Sequence, residues 1–315
     1  MRSTNARVGL VFAALLGCVS LLSGCGADHA LNPTSPSQAG SSDSGPGAGS
    51  AQALDEVLAG AGDIAQCGLG DPEATATLLD RIPGTVFTLG DNVQGQGTAE
   101  EYQKCFESSW GRHRWKMLPT VGNHDWHGGH GRPYFEYFGP SAGPAGLGYY
   151  ATRLGGWQVI SLNSEIAAGP GSPQYEWLKT ELALSDTPCT LVMWHRPFFT
   201  SGPNDSASHA RDLWRLMSFY EVELVLSGHN HQYERFAPQD ADGRPDPRCP
   251  RQFVVGTGGY SLYGRARAVA NTEAFHSEAF GVLKLTLKHA SYTWEFLPVA
   301  GQSFRDSGSG ACIGR

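Results

Sequence analysis

The chain has 315 residues, 40% of them hydrophobic and 17% charged, with a formal net charge of -7. That composition argues against wholesale disorder and supplies a core for one large domain or two small ones. The negative balance, steeper once the basic first residues are set aside, argues against nucleic acid or an anionic membrane surface as the main partner.

In chain order, Arg2 and Arg7 precede an apolar run, Val8 to Leu22, which is too short for a comfortable membrane span. Basic residues followed by such a run form an export signal, here over 1–24. The next residues, "LSGC", resemble the lipobox of bacterial lipoproteins. That resemblance implies a lipid on Cys25 as the only membrane attachment and a place at the cell envelope or surface. Cleavage at an ordinary signal site nearby is the alternative. Gly26 to Gln52 is almost wholly Gly, Ser, Pro, Ala and small polar residues, which cannot bury enough surface to fold. Residues 25–53 therefore read as a tether, spanning roughly 30 Å as a flexible chain, and the folded domain is expected over 54–315.

From Leu54 onward, apolar runs alternate with amphipathic pieces. The runs ending "VLAGAGD", "TVFTLGD", "MLPTVGNHD", "WQVISLN", "TLVMWH" and "VELVLSGHNH" are nearly continuous in apolar residues, as strands covered on both faces should be. Between them "DPEATATLLDRI", "TAEEYQKCFESSW", "SPQYEWLKTELAL" and "HARDLWRLMSFY" read as helices, the first two starting at Asp71-Pro72 and Thr98. After Arg251 the pattern is rich in strands, and the alternation "VLKLTLK" fits a strand with one wet face. An α/β core with a second, more antiparallel sheet toward the C-terminus is expected.

Five cysteines follow Cys25: Cys67, Cys105, Cys189, Cys249 and Cys312. Five is odd, so at least one is expected to stay unpaired; Cys67 and Cys105 are the best pair. No CxxC or Cys/His spacing of a zinc site occurs.

Five of the apolar runs stop on a metal-ligand residue type: Asp63, Asp91, Asn123 with His124 and Asp125, His195, and His229 with His231. Ligands in open α/β folds bind beyond the carboxyl ends of strands. A single Asp there is more often a turn residue and a single His more often structural, but five such ends together are hard to explain by turns. Carboxylate, amide oxygen and imidazole suit divalent ions such as Mn, Fe and Zn. Two such ions can clamp the attacking and leaving oxygens of a phosphoryl displacement.

Taken in order, "AGDIAQC", "LGDNV", "VGNHD", "WHRP" and "GHNHQYER" resemble the signature blocks of calcineurin-like metallophosphoesterases, and within them the purple acid phosphatase branch. The resemblance implies a four-layer α/β/β/α sandwich, two mixed sheets flanked by helices. It also implies two divalent metals: Asp63, Asp91 and His231 on the first, and Asn123, His195 and His229 with a bridging Asp91 on the second. A metal-activated hydroxide would then hydrolyse phosphate esters, chiefly monoesters. Phosphodiester or nucleotide hydrolysis is the alternative, and a non-catalytic surface-binding lipoprotein is a further one.

By the same resemblance His124 lies near the phosphate, Asp125 orients it through a hydrogen bond, and His209 is a candidate second phosphate-facing histidine. One departure is plain: the branch has Gly-Asp-x-x-Tyr, whose tyrosinate binds ferric iron, and this chain has Gln94 in the fifth position. A neutral amide there disfavours a purple Fe(III) site and favours divalent ions. Arg196 is a candidate contact to substrate phosphate or a structural arginine before Pro197. His127 and His130 are candidates for the cleft rim or a solvated loop, and Tyr260 and Tyr263 are candidate contacts in a loop near the site.

Overall fold

The apolar runs that end in Gly-Asp or Gly-His fold as strands. The computed structural model describes residues 55–314; the export signal, Cys25 and the tether lie outside them. The strands are β1 (Glu56–Ala61), β2 (Thr85–Thr88), β3 (Met117–Leu118), β4 (Tyr150–Leu154), β5 (Trp157–Ser161) and β6 (Cys189–Met193). They continue with β7 (Leu224–Ser227), β8 (Tyr233–Phe236), β9 (Arg251–Val255), β10 (Thr272–His276), β11 (Gly281–Leu287), β12 (Ser291–Pro298) and β13 (Ser307–Ala311). One sheet has the order β13-β12-β11-β1-β2-β3, the other β10-β8-β9-β7-β6-β5-β4.

Both sheets are mixed. β1, β2 and β3 run parallel in the first, and β5, β6, β7 and β9 run parallel in the second. The expectation of a separate antiparallel sheet at the C-terminus needs correction. β11 pairs antiparallel with β1, from Glu56↔Leu287 to Gly60↔Leu283, and β12 and β13 follow it, so these strands extend the first sheet. Without them β1 would present an open edge of unpaired N–H and C=O groups.

Alternation along β6 and β7 shows the layering. Leu191, Met193, Leu224 and Leu226 share a core with Phe87, Val282 and Leu283 of the first sheet. Val192 and Val225 face the other way, onto Leu178 and Leu182 of the helix Pro173–Leu184 and Leu213 and Trp214 of the helix Arg211–Phe219. Ala76 and Leu79 of the helix Pro72–Asp80 join the first core. The result is the α/β/β/α sandwich. Each fully buried Leu or Phe in these cores contributes about 1.5–3 kcal/mol.

The first two expected helices start at the expected residues, Asp71 and Thr98, and the third is capped as well. Asp71 accepts the Ala74 N–H at 3.0 Å, and Ser172 caps the helix from Pro173. Thr98 and Glu101 form a reciprocal capping box. The helix expected after Thr98 is only one α turn, Ala99–Glu101, passing into a π turn over Tyr102–Phe106. Cys67 bridges Cys105, the expected pair, and Cys189 bridges Cys312. Cys249 is bonded as well, so the odd count leaves no free thiol among these five.

Candidate metal centre

The parallel strands of both sheets end toward one region, and their hydrogen-bond ladders continue past the strand ends. Asp63 N–H donates to Gly90 O and Ile64 N–H to Asp91 O, while Gly228 N–H donates to His195 O. Gly62 links the two sheets, donating to Val255 O at 2.8 Å and accepting from Gly258 N–H at 2.9 Å. The loops after β1, β2, β6 and β7 therefore converge on one cleft. Asp63, Asp91 and His229 all have positive φ, at 60°, 49° and 67°. A non-glycine residue held there costs about 1–3 kcal/mol and persists where the surroundings fix it, commonly at functional sites. Gly122 is required by close approach, since a Cβ there would sit 2.2 Å from Asp91 N and 2.3 Å from its Oδ1.

One group of donors forms around Asp91. Its Oδ2 lies 3.2 Å from His195 Nε2, which is 3.1 Å from Asn123 Oδ1 and 3.2 Å from His229 Nδ1. Asp91, His195 and His229 each bring a ligand atom within 4.8 Å of the others, and all three are buried. His195 Nδ1 donates to Leu89 O at 2.7 Å, which leaves Nε2 directed at the group. Burial disfavours the His195 imidazolium, yet the Asp91 carboxylate outweighs it and pushes this histidine up to about 10. The carboxylate that holds a proton so tightly attracts a metal cation by the same force. Burial and the neighbouring His195 lower His229, keeping it a neutral imidazole fit to ligate.

A second group forms around Asp63. Its Oδ1 lies 3.2 Å from His231 Nε2 and 3.4 Å from Gln94 Nε2, and its Oδ2 accepts the His229 N–H at 2.7 Å. His231 Nδ1 is 2.7 Å from Ser261 Oγ, again leaving Nε2 for the site. Buried carboxylates, imidazoles and an amide oxygen, without a thiolate, fit divalent ions of the Mn, Fe and Zn kind. All six residues expected as ligands are thus brought to this one region. Gln94 stands beside Asp63 with its amide N–H as donor.

The cleft above these groups has a volume of about 480 Å³ and is lined by Asp91, Gln94, Asn123, His124, Pro203, Asn204, Asp205, His229, His231, Tyr260 and Tyr263. The Tyr263 ring stacks on His231 with 4.1 Å between centroids. His124 stands at its edge with Nε2 3.9 Å from Asp91 Oδ2.

Two expectations fail here. Among the described residues, the Asp125 carboxylate makes its hydrogen bonds to groups other than the His124 ring. It accepts from the backbone N–H of Gly122 (2.9 Å) and Asn92 (3.1 Å), from Asn92 Nδ2 (3.0 Å) and from Tyr102 OH (2.6 Å), and so ties the Asp91 and Asn123 loops together. Burial and the nearby Asp91 push its carboxyl up to about 6. The physical reason is the short helical turn Asn123–His127: Asp125 at N3 turns inward to cap it, while His124 points outward. His124 Nδ1 instead lies 2.8 Å from Gly95 O. His209 is not among the cleft residues. It is exposed on a 3-10 turn, and its Nε2 donates to Ser164 O at 3.0 Å.

The loop that carries His209 contributes Asp205 instead, which sequence reasoning missed. Asp205 Oδ1 lies 3.0 Å from His229 Nε2 and 2.6 Å from Arg196 Nη1. Arg196 is also held by Glu165, through Nε to Oε1 at 2.9 Å and Nη2 to Oε2 at 3.1 Å, and is thus a structural cation. An Asp in a Gly-Pro-Asn-Asp-Ser loop carries no periodic signal, so nothing in the sequence marked it.

Residues 57–233 match the family model described as calcineurin-like phosphoesterase. Among curated proteins, a probable purple acid phosphatase 20 of Arabidopsis thaliana is 28% identical over 206 residues, covering 59% of this chain and 46% of that protein. Purple acid phosphatase 18 of the same plant is 31% identical over 161 residues, covering 46% and 36%. The chain thus spans about half the length of these relatives or less. Among solved structures, the purple acid phosphatase PPD1 from yellow lupin, Lupinus luteus, aligns with a TM-score of 0.69 at 20% identity, covering 82% of this chain and 54% of that one. That likeness establishes the fold.

Proposed function

Since the chain belongs to the calcineurin-like phosphoesterase family, we propose that it hydrolyses phosphate esters, chiefly monoesters, at this cleft with two divalent metal ions. The observation that carries the reading is the meeting of Asp91, His195 and His229 within 4.8 Å beside the Asp63–His231 pair. Asp63, Asp91 and His231 would hold one ion, and Asp91, Asn123, His195 and His229 the other. Bound there, the ions supply Lewis acidity that lowers the pKa of water and neutralises phosphate charge.

The chain's own groups do the rest. Leu89 O and Ser261 Oγ fix the rings of His195 and His231 so that Nε2 faces the cleft. His124, held at Nδ1, presents Nε2 at the cleft edge, where its imidazolium form can pass the Nε2 proton to the leaving oxygen as the ester P–O bond breaks. Gln94 in place of a tyrosine supports divalent ions over ferric iron.

We propose further that the mature chain is exported and anchored through a lipid on Cys25. Arg2, Arg7, the Val8–Leu22 run and "LSGC" support this, all outside the described residues. Radiolabelled palmitate incorporated by the wild type and lost in Cys25→Ser is the expected result; label retained in that variant would overturn it. The catalytic reading is tested with an aryl phosphate and its bis-aryl diester after loading with Mn, Fe or Zn. Turnover of the monoester above the diester is expected. No turnover of either with metal bound would end the enzyme reading.

A further inference from the structure

Residues 98–106 form a bracket that reaches three parts of the site. Cys105 is bridged to Cys67 on the loop that follows Asp63, and Tyr102 OH donates to Asp125. Glu101 turns the other way, onto the loop of Gln94 to Thr98. We infer that Glu101 is a positioning residue for His124, acting through the backbone carbonyl of Gly95. The inference rests on the phosphoesterase reading, in which His124 meets the ester.

The chain of contacts is short and directional. The Glu101 carboxylate accepts the Gln96 N–H at 3.2 and 3.1 Å, the Thr98 N–H at 2.8 Å and the Thr98 hydroxyl at 3.0 Å. Thr98 Oγ1 in turn accepts the Glu101 N–H at 3.2 Å. At the other end of the loop, Gln94 N–H donates to Ala65 O at 2.9 Å. Gly95 hangs between these anchors, pressed so closely on Glu101 that a Cβ would sit 1.5 Å from its Oε1. Its carbonyl is 2.8 Å from His124 Nδ1. A carbonyl only accepts, so His124 is held as the Nδ1–H tautomer with Nε2 left for the cleft. The usual arrangement gives a catalytic or ligating histidine a carboxylate or carbonyl partner that fixes its ring. Here that partner is a neutral backbone group on a glycine loop, and Glu101 holds the N–H groups of Gln96 and Thr98 on its C-terminal side.

The test compares Glu101→Ala, Glu101→Gln and Gly95→Ala, each alone and combined with His124→Ala, by kcat, KM and metal content. Glu101→Ala and Gly95→Ala should lower kcat about 10- to 100-fold, the usual cost of losing an orienting partner, with KM and metal content unchanged. Glu101→Gln keeps an acceptor oxygen of the same reach and should restore most of the rate. In the His124→Ala background neither Glu101→Ala nor Gly95→Ala should cost anything further. Nitrogen NMR of ring-labelled, metal-free protein, with His124 assigned by its absence in His124→Ala, should show the Nδ1–H tautomer in the wild type and a mixture in Glu101→Ala. An equal loss of rate in both backgrounds, or an unchanged His124 tautomer in Glu101→Ala, would overturn the assignment. A wild type that binds metal but turns over no phosphate ester would instead remove the phosphoesterase reading, leaving the tautomer result to stand or fall alone.

Discussion

Nε2 of His195 and Nδ1 of His229 face each other at 3.2 Å, with Asp91 Oδ2 3.2 Å from the first. Each ring has a partner on its other nitrogen, Leu89 O for His195 and Asp205 for His229. Two ring nitrogens and a carboxylate turned toward one point in a buried site call for a positive charge between them, a proton or a metal ion. The positive φ of Asp63, Asp91 and His229 shows that the backbone is bent to produce this convergence.

Removing one of these nitrogens should therefore remove one ion. His195→Ala is expected to bind about half the metal of the wild type and to lose at least about 100-fold in rate, the upper end of what lost outer-shell partners cost. Elemental analysis of protein purified without chelators, run beside the phosphatase assay, checks both. Full metal content in this variant would refute the ligand role.

His124→Ala should keep its metal and lose about 100- to 10,000-fold in rate, the range for a positioned proton-transfer group. Asp125→Asn should behave differently, because Asp125 joins the Asn92 and Gly122 backbones rather than His124. Its expected defect is in stability and metal retention together. A fully active His124→Ala would show that the ring does not meet the ester.

Gln94 offers a neutral amide beside Asp63, with Nε2 3.4 Å from Oδ1. The iron-loaded wild type should be colourless. Gln94→Tyr places a phenol at the same wall and should gain a visible tyrosinate-to-iron band under oxidising conditions. A strong visible band in the wild type would refute the reading of this position.

Away from the cleft, Asp306 accepts from Tyr233 OH at 2.6 Å, Arg235 Nε at 2.7 Å and Trp294 Nε1 at 3.1 Å. Burial works to raise its carboxyl, but the Arg235 and Tyr233 hydrogen bonds win and hold it below the usual range. A carboxyl lowered in the folded state stabilises fully above its ordinary value and loses that contribution as pH falls through and below it, here under about pH 4. Asp306→Asn should cost about 3 kcal/mol at neutral pH, as breaking a partly buried ion pair does. The gap in urea midpoint between variant and wild type should close as pH drops below 4. A gap that is constant with pH would contradict it.

The sequence by itself determined the strands and the candidate ligand residues at their ends. Asp63, Asp91, Asn123, His195, His229 and His231 each follow an apolar run, and a strand end is a local property of the chain. It also determined the caps at Asp71 and Thr98 and the pair Cys67–Cys105. It did not determine who touches His124, because Asp125 is its neighbour in sequence but turns inward at the start of a helical turn. Only the tertiary structure, by folding the 94–98 loop across that turn, puts a carbonyl there. The same holds for the cleft rim. His209 carries the chemically suggestive side chain, yet the fold points it at Ser164 O and brings Asp205 to His229 instead. Which side chain of an irregular loop meets a site depends on contacts between segments far apart in the chain, and no periodicity records them.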